Sequence, residues 1–559
     1  MYILGIQKNY LSSVALFKDN VLIYYNEEER LNRIKKSSFF PFLCVDEIVK
    51  ITKKIDKVLL TGYNRDGLDF IGGYLKKIGL IDNIENQTFS FYKDHHLIHS
   101  AKAFYNSDFN DALVFVVDGR GSSYNLSNGE LAYETTSVYY FKKPNYFKCI
   151  FKKLFTNSIV SENVFLKPEV EQNLYYDIKP FSLDKDTQIE ITNKHDLGHF
   201  YYYISDHMNF KGEEGKLMGL SAYGKYNNEI NEIINMPDFF NYNLKQKNYG
   251  KTINCEKYNQ FIGDKNLLDL SFAVQHKFEK DYLKLVETYT KKNMSKNIVL
   301  TGGTAYNVVN NYKIKKSLKD FELFVEPMCG DEGNSIGVCQ FYLKQLNEET
   351  QFEKSKNLFI GGKYDYSINL KNTNIILQET SIEDIINLLI NNNVVGLYQG
   401  KSEGGRRALG NRSLLLDPRL PEGKNIMNEI KKREYFRPFA CSVLKEEVEN
   451  WFNMCGIKES PFMTYAVQAL KGVKEKINSV IHVDNTCRVQ TITKEDNNIL
   501  YTLIKEFYKK TNIPILMNTS FNLSGEPLVE TPQDAIDTLQ KSELKYLYFS
   551  DINKLASKI

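Results

Sequence analysis

Tryptophan occurs once in the 559 residues and histidine only eight times, and no two cysteines stand in a C-x-x-C pair. The eight cysteines are scattered from Cys44 to Cys487. That spacing argues against a disulfide framework or a zinc ribbon and for a reducing compartment. Long apolar runs are missing too. None reaches the roughly 18 residues that a membrane-spanning helix needs, and the opening MYILGIQKNY turns polar too early for a secretory signal. Neither sign of charge dominates: 72 Lys+Arg against 69 Asp+Glu leave a formal +3. A generic polyanion or membrane-surface binder would need an excess or a strong local patch. Short-period repeats and low-complexity segments are absent. With 25% charged and 42% hydrophobic residues, wholesale disorder is excluded. The expectation is a cytoplasmic protein without membrane association, long enough for more than one sizeable core.

What is present is an alternation of strands and helices. YILGI, SVALFKD and VLIYYNEE are β-branched and aromatic runs, with a turn pair at Asp19-Asn20. ALVFVVDGRG and NIVLTGG are strand signals closing on glycines, and FAVQHKFEKDYLKLVETYTKK carries apolar residues at three- and four-residue steps. VVGLYQG and IPILMNTSFN add later strands, and EDIINLLINN and TLIKEFYKK later helices. This predicts an α/β architecture with its sites at strand ends. Between Leu346 and Thr380 the pattern weakens into polar, turn-rich sequence. The expected division is a domain over 1–345, a boundary region over 346–380 and a second domain over 381–559.

Three groups of residues could carry chemistry. In DHHLIH, His95 and His99 are four apart and would share a helix face, while His96 would point elsewhere. A bare H-x-x-x-H also fits an ordinary polar helix. Asp118 in VVDGRG and Asp331 in CGDEGNSIG supply carboxylates that would extend the pair to a set suited to Fe(II), Mn(II) or Zn(II). The glycine turns EEGKLMGLSAYGK and LTGGTAYN would let backbone approach a nucleotide, with Lys216 near phosphate, although neither is a P-loop and each could be structural. The third group is basic. QGKSEGGRRALGNRS and KKREYFRPFA embed Arg406, Arg407, Arg412, Lys431, Lys432, Arg433 and Arg437 among Gly, Phe and Pro, and Arg488 follows in HVDNTCRVQT. Such surroundings suit guanidiniums aimed into a pocket for a small phosphate or carboxylate. An RNA groove is the alternative, with Tyr435 and Phe436 as its aromatics.

Taken in order, DHHLIHSAKAFYNSDFNDALVFVVDGRG, GEEGKLMGLSAYGK, LTGGTAYN, VEPMCGDEGNSIG, VVGLYQGKSEGGRRALGNRSLLLDPR, KKREYFRPFA, SPFM, HVDNTCRVQT and PILMNTSFNLSGEPLVETP resemble the motifs of the O-carbamoyltransferases of nodulation-factor, cephamycin and tobramycin biosynthesis. The resemblance runs from Leu4 to about Ala535. It implies an actin/Hsp70-like N-terminal domain, akin to threonylcarbamoyl-tRNA transferase, and a YrdC-like C-terminal domain. It also implies a reaction: carbamoyl phosphate is cleaved to carbamate, ATP adenylates the carbamate, and carbamoyl-AMP passes its carbamoyl group to a hydroxyl. Residue by residue, the resemblance makes His95, His99, Asp118 and Asp331 metal ligands, usually for iron. It puts Lys216, Gly302, Gly303 and Asn307 at the nucleotide, and Arg407, Lys431, Arg437, Arg488 and Ser520 at carbamoyl phosphate.

One departure stands out. Where the family carries a histidine in a stretch like GHDSSA, this chain reads Asn9-Tyr10-Leu11-Ser12-Ser13. Tyr10 is a poor general base near neutral pH, because its unperturbed pKa is about 10. Gly404, Arg406 and Ser524 are smaller departures. The implied partners are ATP, carbamoyl phosphate and a small-molecule hydroxyl acceptor such as a sugar, nucleoside or secondary metabolite, acted on by a monomer or homodimer. Carbamoylation of a nucleotide or nucleic acid, and a non-catalytic nucleotide-binding regulator, are the competing expectations.

Overall fold

The computed structural model describes residues 1–8, 10–62, 65–158, 160, 164–167, 183–195, 197–210, 212–235, 240–241, 252–253, 264–352 and 357–559. Part of the boundary region expected over 346–380 therefore lies outside the described residues, as does Asn9. The chain falls into two compact units. One holds residues 1–90, 331–340 and 350–559, and the other holds residues 91–330 and 341–349. The expected α/β class is what both contain.

In the first unit, β1 (Tyr2–Gln7), β2 (Ser13–Lys18), β3 (Val21–Glu27), β4 (Lys57–Thr61) and β5 (Thr88–Ser90) form a sheet in the order β3-β2-β1-β4-β5. β1–β2 and β2–β3 pair antiparallel, β1–β4 and β4–β5 parallel. In the second unit, β6 (Asp111–Val117), β7 (Ser123–Asn125), β8 (Leu131–Lys142), β9 (Tyr146–Thr156) and β10 (Gln188–Thr192) precede a short ribbon of β11 (Phe240–Asn241) and β12 (Thr252–Ile253). β13 (Asn297–Thr301) and β14 (Glu322–Val325) then complete its main sheet. Along β9-β8-β6-β13-β14 the pairings again run antiparallel, antiparallel, parallel, parallel. Each unit thus carries the same third-second-first-fourth-fifth sheet, the duplicated architecture that the actin/Hsp70-like expectation requires. The parallel strands read as unbroken apolar runs because they are buried along nearly their whole length. The two sheets also end alike: β4 runs into Thr61-Gly62 and β13 into Thr301-Gly302, with glycine φ of 77° and 83°.

The first unit continues into a ten-stranded mixed sheet. Its strands are β15 (Ile375–Glu379), β16 (Val395–Tyr398), β17 (Arg412–Leu416), β18 (Ala440–Leu444), β19 (Phe452–Asn453), β20 (Ala466–Ala469), β21 (Thr486–Ile492), β22 (Ile515–Ser520), β23 (Tyr546–Phe549) and β24 (Lys554–Lys558). Their order is β15-β24-β23-β16-β17-β22-β18-β21-β20-β19. Pairing Ser413 with Ser520 and Ala440 with Arg488 brings four chain segments to one end of this sheet. Its helices carry local stop and start signals. Thr531 and Asp534 form a reciprocal capping box, with Pro532 at the first helical turn.

Candidate functional site

The helix His95–Asn106 presents His95 and His99 one turn apart. Their Nε2 atoms lie 3.2 Å from each other. Asp118 follows β6, and its Oδ2 lies 3.3 Å from His95 Nε2 and 3.8 Å from His99 Nε2. Its Oδ1 is already engaged, accepting from the N–H groups of Gly119 (2.9 Å) and Gly303 (3.1 Å). The carboxylate is therefore held by backbone on one side and faces two imidazoles on the other. Burial pushes the Asp118 carboxyl up, but the His95 hydrogen bond and the His99 and His95 charges outweigh it and hold the group ionised. The ligand atoms of the three residues fall within 4.8 Å of one another. Two imidazole nitrogens and a carboxylate oxygen converging this way form a donor set that a borderline divalent cation fits. Asp331, the fourth expected ligand, follows Gly330 directly and opens the turn Asp331–Gly333.

His96 lies off this group, as its register requires. It is fully buried, its Nδ1 lies 2.9 Å from Ser137 Oγ, and burial lowers it to about 3, so it stays neutral. Below it the buried Glu134 accepts from the His96 and Ser122 N–H groups, both at 3.0 Å, and pairs with buried Lys152. This pairing braces the first turn of the helix His95–Asn106.

Because β6 and β13 are adjacent and parallel, the glycine turn after β13 arrives beside Asp118. Gly302 requires its lack of a side chain: at φ 83° a Cβ would sit 2.5 Å from the Val117 carbonyl oxygen. Asn307 is turned away from solvent. It caps the helix Val308–Ser317 by accepting from Asn310 N–H (3.1 Å), and it exchanges two hydrogen bonds with Gln275. Lys216 lies on the helix Glu214–Ser221, 2.6 Å from Glu213.

The expected donor residues gather in the first unit. Lys431 ends the helix Gly423–Lys431. Its buried ammonium donates to Asn522 O (2.9 Å), Asn522 Oδ1 (3.0 Å), Ser520 Oγ (3.3 Å) and the Ser520 carbonyl. Burial pushes Lys431 well down, and the charges of Arg433, Arg437 and Lys35 push it further. Arg488 on β21 is likewise depressed, by burial first and then by Arg407, Arg433 and Arg437, and its buried Nε has no hydrogen-bond partner among the described residues. An arginine keeps its proton in a protein, so the depression reports like charges crowded together that an anion would relieve. Arg437 lies 3.8 Å from Glu434. Ser520 ends β22 and donates to Asn522 Oδ1 at 2.7 Å.

One residue beside these, Asn522, escaped the sequence reading, whereas Arg433 was part of it. Asn522 holds the Lys431 ammonium and stands only two positions after Ser520. Arg433 lies in the basic motif, over the Phe439 ring at 4.4 Å. Arg412 corrects that reading in the other direction. Its guanidinium does not share the pocket but is fully buried, donating to the carbonyls of Gln399, Asn411, Gly400 and Glu530 and lying 3.7 Å from the Tyr398 ring centre. Tyr10 is 41% exposed, with Lys36 Nζ and Arg406 Cζ at 5.4 and 5.8 Å from its ring centre.

The sequence matches two family models, Carbamoyltransferase N-terminus over residues 50–339 and Carbamoyltransferase C-terminus over residues 386–554. An uncharacterized protein of Methanocaldococcus jannaschii is 31% identical over 590 residues, spanning 100% of both chains. Nodulation protein NolO of Bradyrhizobium diazoefficiens is 27% identical, covering 81% of this chain and 76% of that one. Nodulation protein NolNO of Sinorhizobium fredii is 26% identical, covering 95% and 77%. Among solved structures, full-length HypF in its phosphate- and nucleotide-bound form aligns with 63% of this chain and 56% of its own, at 14% identity. The TM-score of 0.33 is too low to equate the folds. No helix among the described residues is long and apolar enough to cross a membrane.

Proposed function

The chain belongs to the carbamoyltransferase family, and from that premise we propose that it is an ATP-dependent O-carbamoyltransferase with carbamoyl phosphate as donor and a small-molecule hydroxyl as acceptor. The observation that carries this reading is the crowd of cations around the buried Lys431 and Arg488. Water cleaves carbamoyl phosphate to carbamate and phosphate. Carbamate then displaces pyrophosphate from ATP, and the acceptor hydroxyl displaces AMP from carbamoyl-AMP as the carbamoyl ester forms. Arg407, Lys431, Arg437 and Arg488 would bind the donor phosphate and offset charge as it leaves, with Ser520 beside them. Carbamate is a poor acyl donor, and an AMP leaving group makes it reactive.

In the other unit, the Gly302-Gly303 turn would face the nucleotide by backbone. Asn307 would hold that turn through the helix cap it forms, and Lys216 would meet phosphate by exchanging its Glu213 partner. A divalent cation held by His95, His99, Asp118 and Asp331, iron by family resemblance, would neutralise nucleotide phosphate oxygens. The domain boundary is placed within residues 346–380, a choice supported by family matches that end at 339 and resume at 386. A reducing cytoplasm suits the scattered thiols.

The test needs no acceptor. The chain is incubated with carbamoyl phosphate, ATP and Fe(II), and pyrophosphate is measured. Release that depends on carbamoyl phosphate is expected, and ATP left intact under all metal conditions would remove the reading.

A further inference from the structure

Between β16 and β17 the chain makes a loop, residues 399–411, that carries Arg406 and Arg407. Its order comes both from within and from the N-terminal sheet. Glu403, 1% exposed, turns its Oε1 to three backbone N–H groups: Leu409 and Asn411 at 2.8 Å and Arg412 at 3.1 Å. One carboxylate thus closes the loop into a ring. From the N-terminal sheet, Glu27 at the end of β3 accepts from Gly405 N–H at 2.8 Å, while Arg30 donates to the Gly405 carbonyl at 2.6 Å. Gly405 tolerates this double grip because its φ is 82°. Two further supports flank it: Gly404 N–H reaches Leu358 O (2.8 Å), and Ser402 Oγ reaches Glu530 Oε1 (2.8 Å). Glu530 Oε2 lies 3.9 Å from Arg30. Arg406 and Arg407 therefore lie between two pinned points, Gly405 and Leu409, and the Arg407 charge is felt at Arg488.

We infer that Glu403 and the Glu27–Arg30 pair are positioning residues for Arg407. They fix from outside the donor site where its guanidinium meets the donor phosphate. The inference rests on the donor-site reading above. Three carboxylates buried around one arginine are a costly way to brace an ordinary turn, since ionised groups are paired or hydrogen-bonded when buried. Glu27 accepts from the backbone just before the two arginines, at Gly405, and Glu403 from the backbone after them, at Leu409, Asn411 and Arg412.

The test uses the full-length chain with three variants, Glu403→Ala, Glu403→Gln and Glu27→Gln, and three readouts. These are amide exchange over residues 403–412, calorimetric binding of inorganic phosphate, and binding of ATP. Glu403→Ala should speed exchange at Leu409, Asn411 and Arg412 and weaken phosphate about tenfold, with ATP affinity within about twofold. Glu403→Gln keeps an acceptor oxygen and should recover part of the loss. Glu27→Gln should show a smaller loss, centred on Gly405. Unchanged exchange in Glu403→Ala overturns the inference, and so does faster exchange with unchanged phosphate affinity. Phosphate and ATP weakened together would also overturn it, because that marks a general loss of structure. If Arg407→Ala binds phosphate as the unchanged chain does, the donor-site reading fails first and the inference falls with it.

Discussion

The two candidate centres are built on opposite electrostatic plans. In the second unit, acceptors converge: two imidazole nitrogens and one carboxylate oxygen face a common point, a geometry that invites a cation. In the first, donors converge, with the Arg407, Arg433, Arg437 and Arg488 charges crowding one another beside a buried lysine, which invites an anion. The near-zero net charge of the sequence, +3 from 72 basic and 69 acidic residues, conceals both. Their construction differs as well. The acceptor centre needs one helix turn and two adjacent strand ends, whereas the donor centre is assembled from the loop before β17, the helix ending at Lys431, β21 and β22. The first should be stiff and intolerant, the second graded and dependent on its supports.

The largest effect should come from Asp118→Asn. It removes a ligand charge while keeping the shape, and carbamoyl-phosphate-dependent pyrophosphate release should fall about a thousandfold, together with loss of bound metal by elemental analysis. Activity and metal content within a factor of a few would break the contrast between the centres. Arg488→Ala comes next, with about a hundredfold loss in donor kcat/KM and little change in ATP affinity. In the same variant, phosphate should no longer raise the melting temperature. The unchanged chain should gain about 2.7 kcal/mol at a hundredfold excess of phosphate over its Kd, and Asp118→Asn should keep that gain.

A third prediction concerns Glu27, whose carboxyl is raised by burial to about 7 against the pull of Arg30. The folded state therefore holds a proton that the unfolded chain releases near pH 4.5. Stability from this group is fully present below pH 4.5 and is lost as pH climbs to about 7, by on the order of 3 kcal/mol. Glu27→Gln should flatten the stability curve over that window, and urea melts at pH 5 and 7.5 would check it. A mutant curve parallel to the native one would place the titration elsewhere. The smallest effect is expected of Tyr10→Phe, within about twofold on pyrophosphate release. Its ring keeps the Lys36 and Arg406 contacts without the hydroxyl. A large loss would assign that hydroxyl to adenylation.

The acceptor centre was the more legible of the two in the sequence. A four-residue spacing places two histidines on one helix face, and a strand closing on Asp-Gly sets a carboxylate at its end, so periodicity nearly suffices. Strands and the long helices were readable for the same reason. Arg412 was not, because Gly-Asn-Arg-Ser does not reveal whether a guanidinium faces a substrate or four carbonyls; only the burial of β17 decides it. Asn307 posed a similar ambiguity, because its place after a glycine turn does not reveal that its side chain caps the next helix. Hardest to foresee was the grouping of residues 1–90 with residues 350–559. Glu27 and Arg30 touch a loop more than 370 positions later, a pairing that no local pattern encodes.

The repeated sheet also bears on ancestry. Lys-Val-Leu-Leu-Thr-Gly at 57–62 and Asn-Ile-Val-Leu-Thr-Gly at 297–302 are two copies of one strand and its terminal glycine, opposite Gln7 in one sheet and Val116 in the other. Two positions further along, the second copy has Asp118, while the first has Asn9, which lies outside the described residues. After a duplication each half is free to drift, and a change from carboxylate to amide, or the reverse, takes a single codon step. The strand ends of the first copy, at Gln7 and Thr61, are thus the natural place to install a second set of ligands by directed evolution.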